Sequence, residues 1–186
     1  MLSKEPQWVA VYSNPRWEKR LEQNLREAGF EAYLPMRREL HAWSDRKKWV
    51  EVPLIKSYVF AKISDKQVIS LRQVPGLAYI VRFENGIATI PDSEIQMMKD
   101  FLSAEIDVQV RTTELLRMGR KVRITGGALE GKEGVLVSNC EEGNFAVEIT
   151  GISMAMIIHV ESELLELVED DEEPEPKGKK QKYVIR

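Results

Sequence analysis

The sequence predicts an α+β fold, with helices packed on a mostly antiparallel sheet, followed by a small β-barrel. Two observations carry this. Through about Ser103, short β-prone runs alternate with amphipathic helical segments. From Met118 the pattern changes to short strands between turns at Gly126-Gly127, Gly131, Glu142-Gly143-Asn144 and Gly151.

The first β-prone run is Trp8-Val9-Ala10-Val11-Tyr12, ended by Ser13-Asn14-Pro15, where Ser13 or Asn14 is expected to cap a helix. Trp17, Leu21 and Leu25 then recur at helical spacing with charges on the other faces, and Gly29 closes the helix. Phe30–Met36 reads as a strand. Arg37–Trp43 and Arg46–Val52 pair as a ribbon around Ser44-Asp45. The longest β-prone stretch, Val52–Ile63, reads as a central strand. A helix over Asp65–Gln73 stops at Val74-Pro75-Gly76, and Leu77–Phe83 is a strand turning at Glu84-Asn85-Gly86. Ala88–Ile90 is a short strand, and Pro91-Asp92 opens a helix over Ser93–Ser103. Residues 104–116 lack a core pattern and read as linker. Strands are then expected at Lys121–Thr125, Gly134–Val137, Phe145–Ile149, Met156–Val160 and Leu164–Leu167. The expected division is a first domain over 1–105, a linker over 106–117, a barrel over 118–168 and a disordered charged tail over 169–186.

With 186 residues, 43% apolar and 31% charged, the composition is that of a soluble globular chain. No apolar run has the roughly 20 residues a membrane helix needs, and no export signal opens the chain. One cysteine and two histidines exclude a Cys/His metal site, no cofactor is expected, and the expected compartment is the cytoplasm. The net charge of −3 is unevenly spread: residues 1–63 carry 12 Lys/Arg against 8 Asp/Glu, and residues 112–168 carry 5 against 9. Wrapping a duplex asks for more positive charge than this, whereas a local basic patch meeting a few phosphates does not.

Enzyme motifs are missing. The chain has no phosphate-binding Gly-x-x-x-x-Gly-Lys-Ser/Thr loop, no Gly-x-Gly-x-x-Gly turn and no Gly-x-Ser-x-Gly elbow, which leaves binding as the expected role. The ribbon concentrates Arg37, Arg38, His41, Arg46, Lys47 and Lys48, side chains suited to phosphates. Trp43 and Trp49 either stack on bases or pair across the ribbon.

Several segments taken together resemble the NusG family. Trp8–Tyr12 followed by Arg16-Trp17-Glu18 resembles the opening of its N-terminal NGN domain, and Pro53–Phe60 resembles its signature strand. Val74-Pro75-Gly76 with Val81-Arg82-Phe83 falls at the next signature. Gly119–Ile124 with Gly127–Gly134 looks like a KOW motif. The resemblance implies a transcription elongation factor whose NGN domain docks on the clamp helices of the RNA polymerase large subunit and suppresses pausing and termination. By position, the polymerase patch would comprise Tyr12, Ile55, Tyr58, Phe60 and Phe83. Non-template DNA would meet Arg16, Lys19 and Arg20, and the segment holding Gln67, Ser70, Arg72 and Gln73; nascent RNA is a further candidate partner. The KOW barrel would recruit termination factor Rho or a small-subunit ribosomal protein, with Leu129 at the tip of its contact loop. Position 56 is Lys where the family usually has Pro, and the ribbon looks like those of the specialised UpxY- and RfaH-like antiterminators. The competing expectation is a stand-alone RNA- or ribosome-binding KOW protein.

Overall fold

The computed structural model describes residues 5–42, 47–83, 86–104, 106–116, 118–137 and 144–168. Trp43, the Ser44-Asp45 turn, Arg46 and the 169–186 tail lie outside the described residues. The chain divides into two compact units, with the break between Asp92 and Ser93.

In the first unit the strands are β1 (Gln7–Ser13), β2 (Glu31–Tyr33), β3 (Met36–Ala42), β4 (Lys47–Pro53), β5 (Tyr58–Ile63), β6 (Leu77–Ile80), β7 (Arg82–Phe83), β8 (Gly86–Ile87) and β9 (Thr89–Ile90). The helices are α1 (Glu18–Glu27) and α2 (Val68–Arg72). The main sheet runs β2-β5-β1-β6, with β9 also pairing β1. All the pairings are antiparallel. Central β1 is buried at Trp8, Val9, Ala10 and Val11, so neither of its faces is polar. Alternation sends Val9, Val11, Val59, Ala61 and Ile63 to one face, where they pack with Leu21 and Leu25 of α1 and Leu71 of α2.

The ends of α1 show how local chemistry fixes the frame. Its last turn closes with Gly29 at φ +84°; the Gly29 N–H donates to Arg26 O and the Phe30 N–H to Leu25 O, each at 3.0 Å. This paired arrangement satisfies otherwise orphaned carbonyls and needs a residue that tolerates the left-handed region. The other end departs from expectation. The helix begins at Glu18, so neither Ser13 nor Asn14 caps it; the Asn14 carbonyl instead accepts the Trp17 N–H. Before α2, Ser64 and Gln67 form a reciprocal capping box, with the Ser64 N–H donating to Gln67 Oε1 at 2.9 Å.

The expected single strand Val52–Ile63 is two elements. Val52 and Pro53 finish β4, and the chain bends through Ile55–Ser57 before β5 starts at Tyr58. Leu54 and Ile55 are 7% and 4% exposed, so the run is apolar because the bend itself is buried. Among the described residues β3 and β4 pair only with each other, from Met36↔Pro53 to Ala42↔Lys47.

The second unit holds α3 (Asp92–Ser103) from Ser93 onward, with β10 (Gln109–Thr112), β11 (Met118–Ile124), β12 (Glu133–Val137), β13 (Asn144–Ile149), β14 (Met154–His159) and β15 (Leu165–Leu167). These strands form one antiparallel sheet, β10-β14-β13-β12-β11-β15. The stretch expected as linker therefore contains a strand: Gln109–Thr112 pairs with β14, and Val108 is buried. Phe145, Ile149, Ile152 and Met156 fill the core. α3 lies against the sheet, with Phe101 and Phe145 ring centroids 6.3 Å apart, Glu94 accepting from the Thr150 N–H at 3.0 Å, and Asp100 paired with Lys132.

Candidate functional site

Three loops converge at one end of the main sheet: Ser13–Trp17, Ile55–Ser57 and Val74–Gly76. Backbone bonds tie them together, from Ser13 N–H to Ser57 O at 2.7 Å and from Asn14 N–H to Gly76 O at 2.9 Å. Helix α1 adds two side-chain ties. The Glu18 carboxylate accepts the Ser57 N–H at 3.0 Å, and the Asn24 amide donates to Pro75 O at 2.8 Å. Within this junction Arg16 and Ser57 hold φ of 63° and 66°, the left-handed region that costs a non-glycine residue about 1–2 kcal/mol. Such strain persists only where the surroundings over-determine it, and it concentrates at functional sites.

Trp17 is the keystone. One side of its ring packs against Gly76, and the Arg20 guanidinium carbon lies 4.6 Å from the ring centroid. Around it Arg16, Lys19, Arg20, Lys56, Arg72 and Gln73 are all exposed. Of the residues expected to meet nucleic acid, Arg16 before α1, Lys19 and Arg20 on it, and Arg72 and Gln73 at the end of α2 thus stand around one junction, and Lys56 joins them from the bend.

Bordering these loops is a row of three tyrosines. Tyr12 pairs in register with Tyr58 on one side and Tyr79 on the other. Tyr12 and Tyr79 stack at 4.8 Å with 6° between planes, and Tyr58 meets Tyr12 edge-on at 5.2 Å. Three members of the expected polymerase patch, Phe60, Ile55 and Tyr58, are corrected here, each being buried. Phe60 is fully buried because it lies inside the sheet, opposite Ala10 and Tyr33, with its ring 6.4 Å from that of Tyr33. Ile55 fills the bend at 4% exposure, so neither offers a surface. Tyr58 is 9% exposed, while Tyr12 and Phe83 are half-buried. Tyr79, half-buried beside Tyr12, was missing from the expected patch; the period of two in Leu77–Ile80 was the signal that could have placed it there.

The ribbon carries Arg38, Lys47 and Lys48 exposed, and Arg37 and His41 half-buried. The Arg37 guanidinium donates to Glu39 at 3.4 Å, and its Nε is buried with no hydrogen-bond partner among the described residues. Trp49 stands opposite Leu40, and Trp43, named with it as a stacking or cross-ribbon residue, lies outside the described residues.

In the second unit, Leu129 is 4% exposed, against the expectation of an exposed tip. The loop turns through Gly127 and Gly131, both at positive φ, and the Gly131 N–H donates to Ile124 O at 2.7 Å, which folds Leu129 inward. Glu94 of α3 has its pKa raised, chiefly by burial, while Asp100 is held below its usual value by its hydrogen bond from Lys132. Among the described residues no cluster of His, Cys, Asp and Glu is suited to a metal, and no helix is long and apolar enough to cross a membrane.

The family model described as transcription termination factor nusG matches residues 6–99. None of the curated proteins matches. Among solved structures, one titled "Domain interaction in Thermotoga maritima NusG" is 19% identical, covers 88% of this chain and 98% of its own, and has a TM-score of 0.49. Conformation A of the MjSpt4:Spt5 complex is 17% identical over 87% of this chain and 97% of its own, with a TM-score of 0.30. Conformation B is 16% identical over 89% and 99%, also with a TM-score of 0.30.

Proposed function

The chain belongs to the NusG family of transcription factors, and from that premise we propose that it binds RNA polymerase through the tyrosine row and promotes elongation through pause and termination sites. The observation that carries the proposal is the adjacency of Tyr12, Tyr58 and Tyr79 to the strained basic junction of Arg16, Ser57 and Gly76. An aromatic row with little competing charge suits the desolvated centre of a protein interface. The exposed cations beside it suit phosphates, which set position without reading sequence. Affinity then comes from the clamp helices of the polymerase large subunit, and orientation from non-template DNA or nascent RNA at the junction. The ribbon extends the nucleic-acid surface.

In this reading the barrel recruits a further protein, termination factor Rho or a small-subunit ribosomal protein, through a surface from which Leu129 is withdrawn. The basic ribbon supports reading the chain as one of the specialised antiterminators that serve particular operons, and Lys56, where the family usually has Pro, alters the bend beside the patch. It binds rather than catalyses, and it works in the cytoplasm beside the polymerase.

The test is transcription in vitro on templates with different leader sequences, with and without the purified protein. Increased read-through is expected on some templates, together with retention on immobilised polymerase. Unchanged pausing and termination on every template, with no retention, would overturn the proposal.

A further inference from the structure

Deepening the nucleic-acid reading of the ribbon, on which it rests, we propose that the β3–β4 face bearing Leu40 and Trp49 is a stacking platform for single-stranded nucleic acid. The register places Arg38↔Glu51, Leu40↔Trp49 and Ala42↔Lys47 in successive pairs on one face, since side chains two apart along a strand share a side. Every one of these six side chains is exposed, with Trp49 at 58% and Leu40 at 46%. An indole left in water at the centre of an ordered ribbon is costly surface, and this one lies directly against a second large apolar side chain.

The composition of the face selects the occupant. In these three pairs Leu40 and Trp49 are the large apolar groups, and Met36, next along the same side, packs against the core instead, which leaves too little for the apolar centre of a stable protein interface. Arg38 lies diagonal to Trp49, and Lys47 lies two residues before it, about 6.6 Å along the strand. Among the described residues no ion pair holds either cation. On the opposite face Glu39 lies within ion-pair distance of both Arg37 and His41, which leaves Lys48 as the exposed cation there, while Arg38 and Lys47 stand with Glu51 on the Trp49 side. A stacking ring with a cation on each side matches a base flanked by its phosphates. In a duplex, base faces are covered by their neighbours, and Trp49 would have nothing to stack on. An unpaired strand is therefore the ligand, and the ribbon is a site separate from the Arg16 junction.

Fluorescence anisotropy of the full chain tests this, using one labelled 12-nucleotide sequence as single-stranded DNA, as single-stranded RNA and as duplex DNA over a series of salt concentrations. Tighter binding of one or both single strands than of the duplex is expected, and the stronger of the two identifies the sugar. Trp49→Ala should weaken single-strand binding about tenfold or more, and Trp49→Phe should largely restore it. Arg38→Gln and Lys47→Gln should each lower the slope of log affinity against log salt by about 0.7. Because these side chains are exposed, the thermal melts of the variants should match that of the parent. Equal binding by Trp49→Ala, preference for duplex, or no binding at low salt overturns the proposal. Loss of binding in Arg16→Gln with none in Trp49→Ala also overturns it, by assigning the ligand to the junction. Retention of the same variants on immobilised polymerase, measured in parallel, reports on the proposed function separately.

Discussion

Gly76 and Trp17 are in contact so close that a methyl group on Gly76 would stand 2.8 Å from Trp17 Cε3. The glycine also holds φ +93° and offers its carbonyl to the Asn14 N–H. One backbone position thereby seats the indole on which Arg20 rests and fastens two loops of the basic junction.

Gly76→Ala is expected to cost about 1–3 kcal/mol, combining left-handed strain with a clash against the Trp17 ring. A lowered melting temperature should accompany weakened non-template DNA contact. An unchanged melt would show that Trp17 can be reseated freely.

Tyr79→Ala and Phe60→Ala should separate surface from core. The first removes a half-buried ring at the end of the tyrosine row and is expected to reduce retention on polymerase about tenfold with the fold kept. The second empties a fully buried site and should cost about 3–5 kcal/mol, with retention lost through unfolding. Pull-down alongside circular dichroism distinguishes the two.

Two carboxylates of α3 respond to pH with opposite sign. Burial raises Glu94 above its ordinary 4.5, so its contribution to the second unit is fully present below the unfolded value and is lost as pH rises through the folded one. Lys132 lowers Asp100 below 3.8, so that contribution is present above the unfolded value and is lost as pH falls through the folded one. Relative to Glu94→Gln, the parent should gain stability as pH drops toward 4.5. Relative to Asp100→Asn, it should lose stability below 3.8. Denaturant titrations across pH 3 to 7 read both trends.

Gly134→Ala should disrupt the sheet of the second unit. The added carbon would lie 2.7 Å from the carbonyl oxygen of Ala146, a backbone atom of the adjacent strand that has no rotamer to yield. A cost of about 1–3 kcal/mol or more is expected, measured as reduced dispersion of amide resonances and a lowered melt.

The sequence made the frame legible wherever side-chain pattern and backbone agree. Trp17, Leu21 and Leu25 announced α1, and Gly29 marked its end. What escaped was geometry that apolar pattern does not record. Leu54 and Ile55 are as buried in a bend as they would be in a strand, so Val52–Ile63 looked continuous until Ser57 took positive φ. Val110 is the only large apolar residue of Gln109–Thr112, which joins the sheet of the second unit through backbone pairing with β14. Phe60, Tyr58 and Tyr79 share one face by alternation, yet only their neighbours across strands decide which of them meets solvent.

The ribbon forms its own sheet, and Leu54 N–H to Pro35 O at 2.8 Å fastens the chain just beyond its last pair. An arm built this way can be lengthened or trimmed in steps of two residues on each strand without rotating any remaining side chain to the other face. Odd insertions would exchange the Trp49 face for the Val50 face. Reach can thus diverge between descendants of such a chain by paired insertion, while the sheet that holds the tyrosines is inherited unchanged.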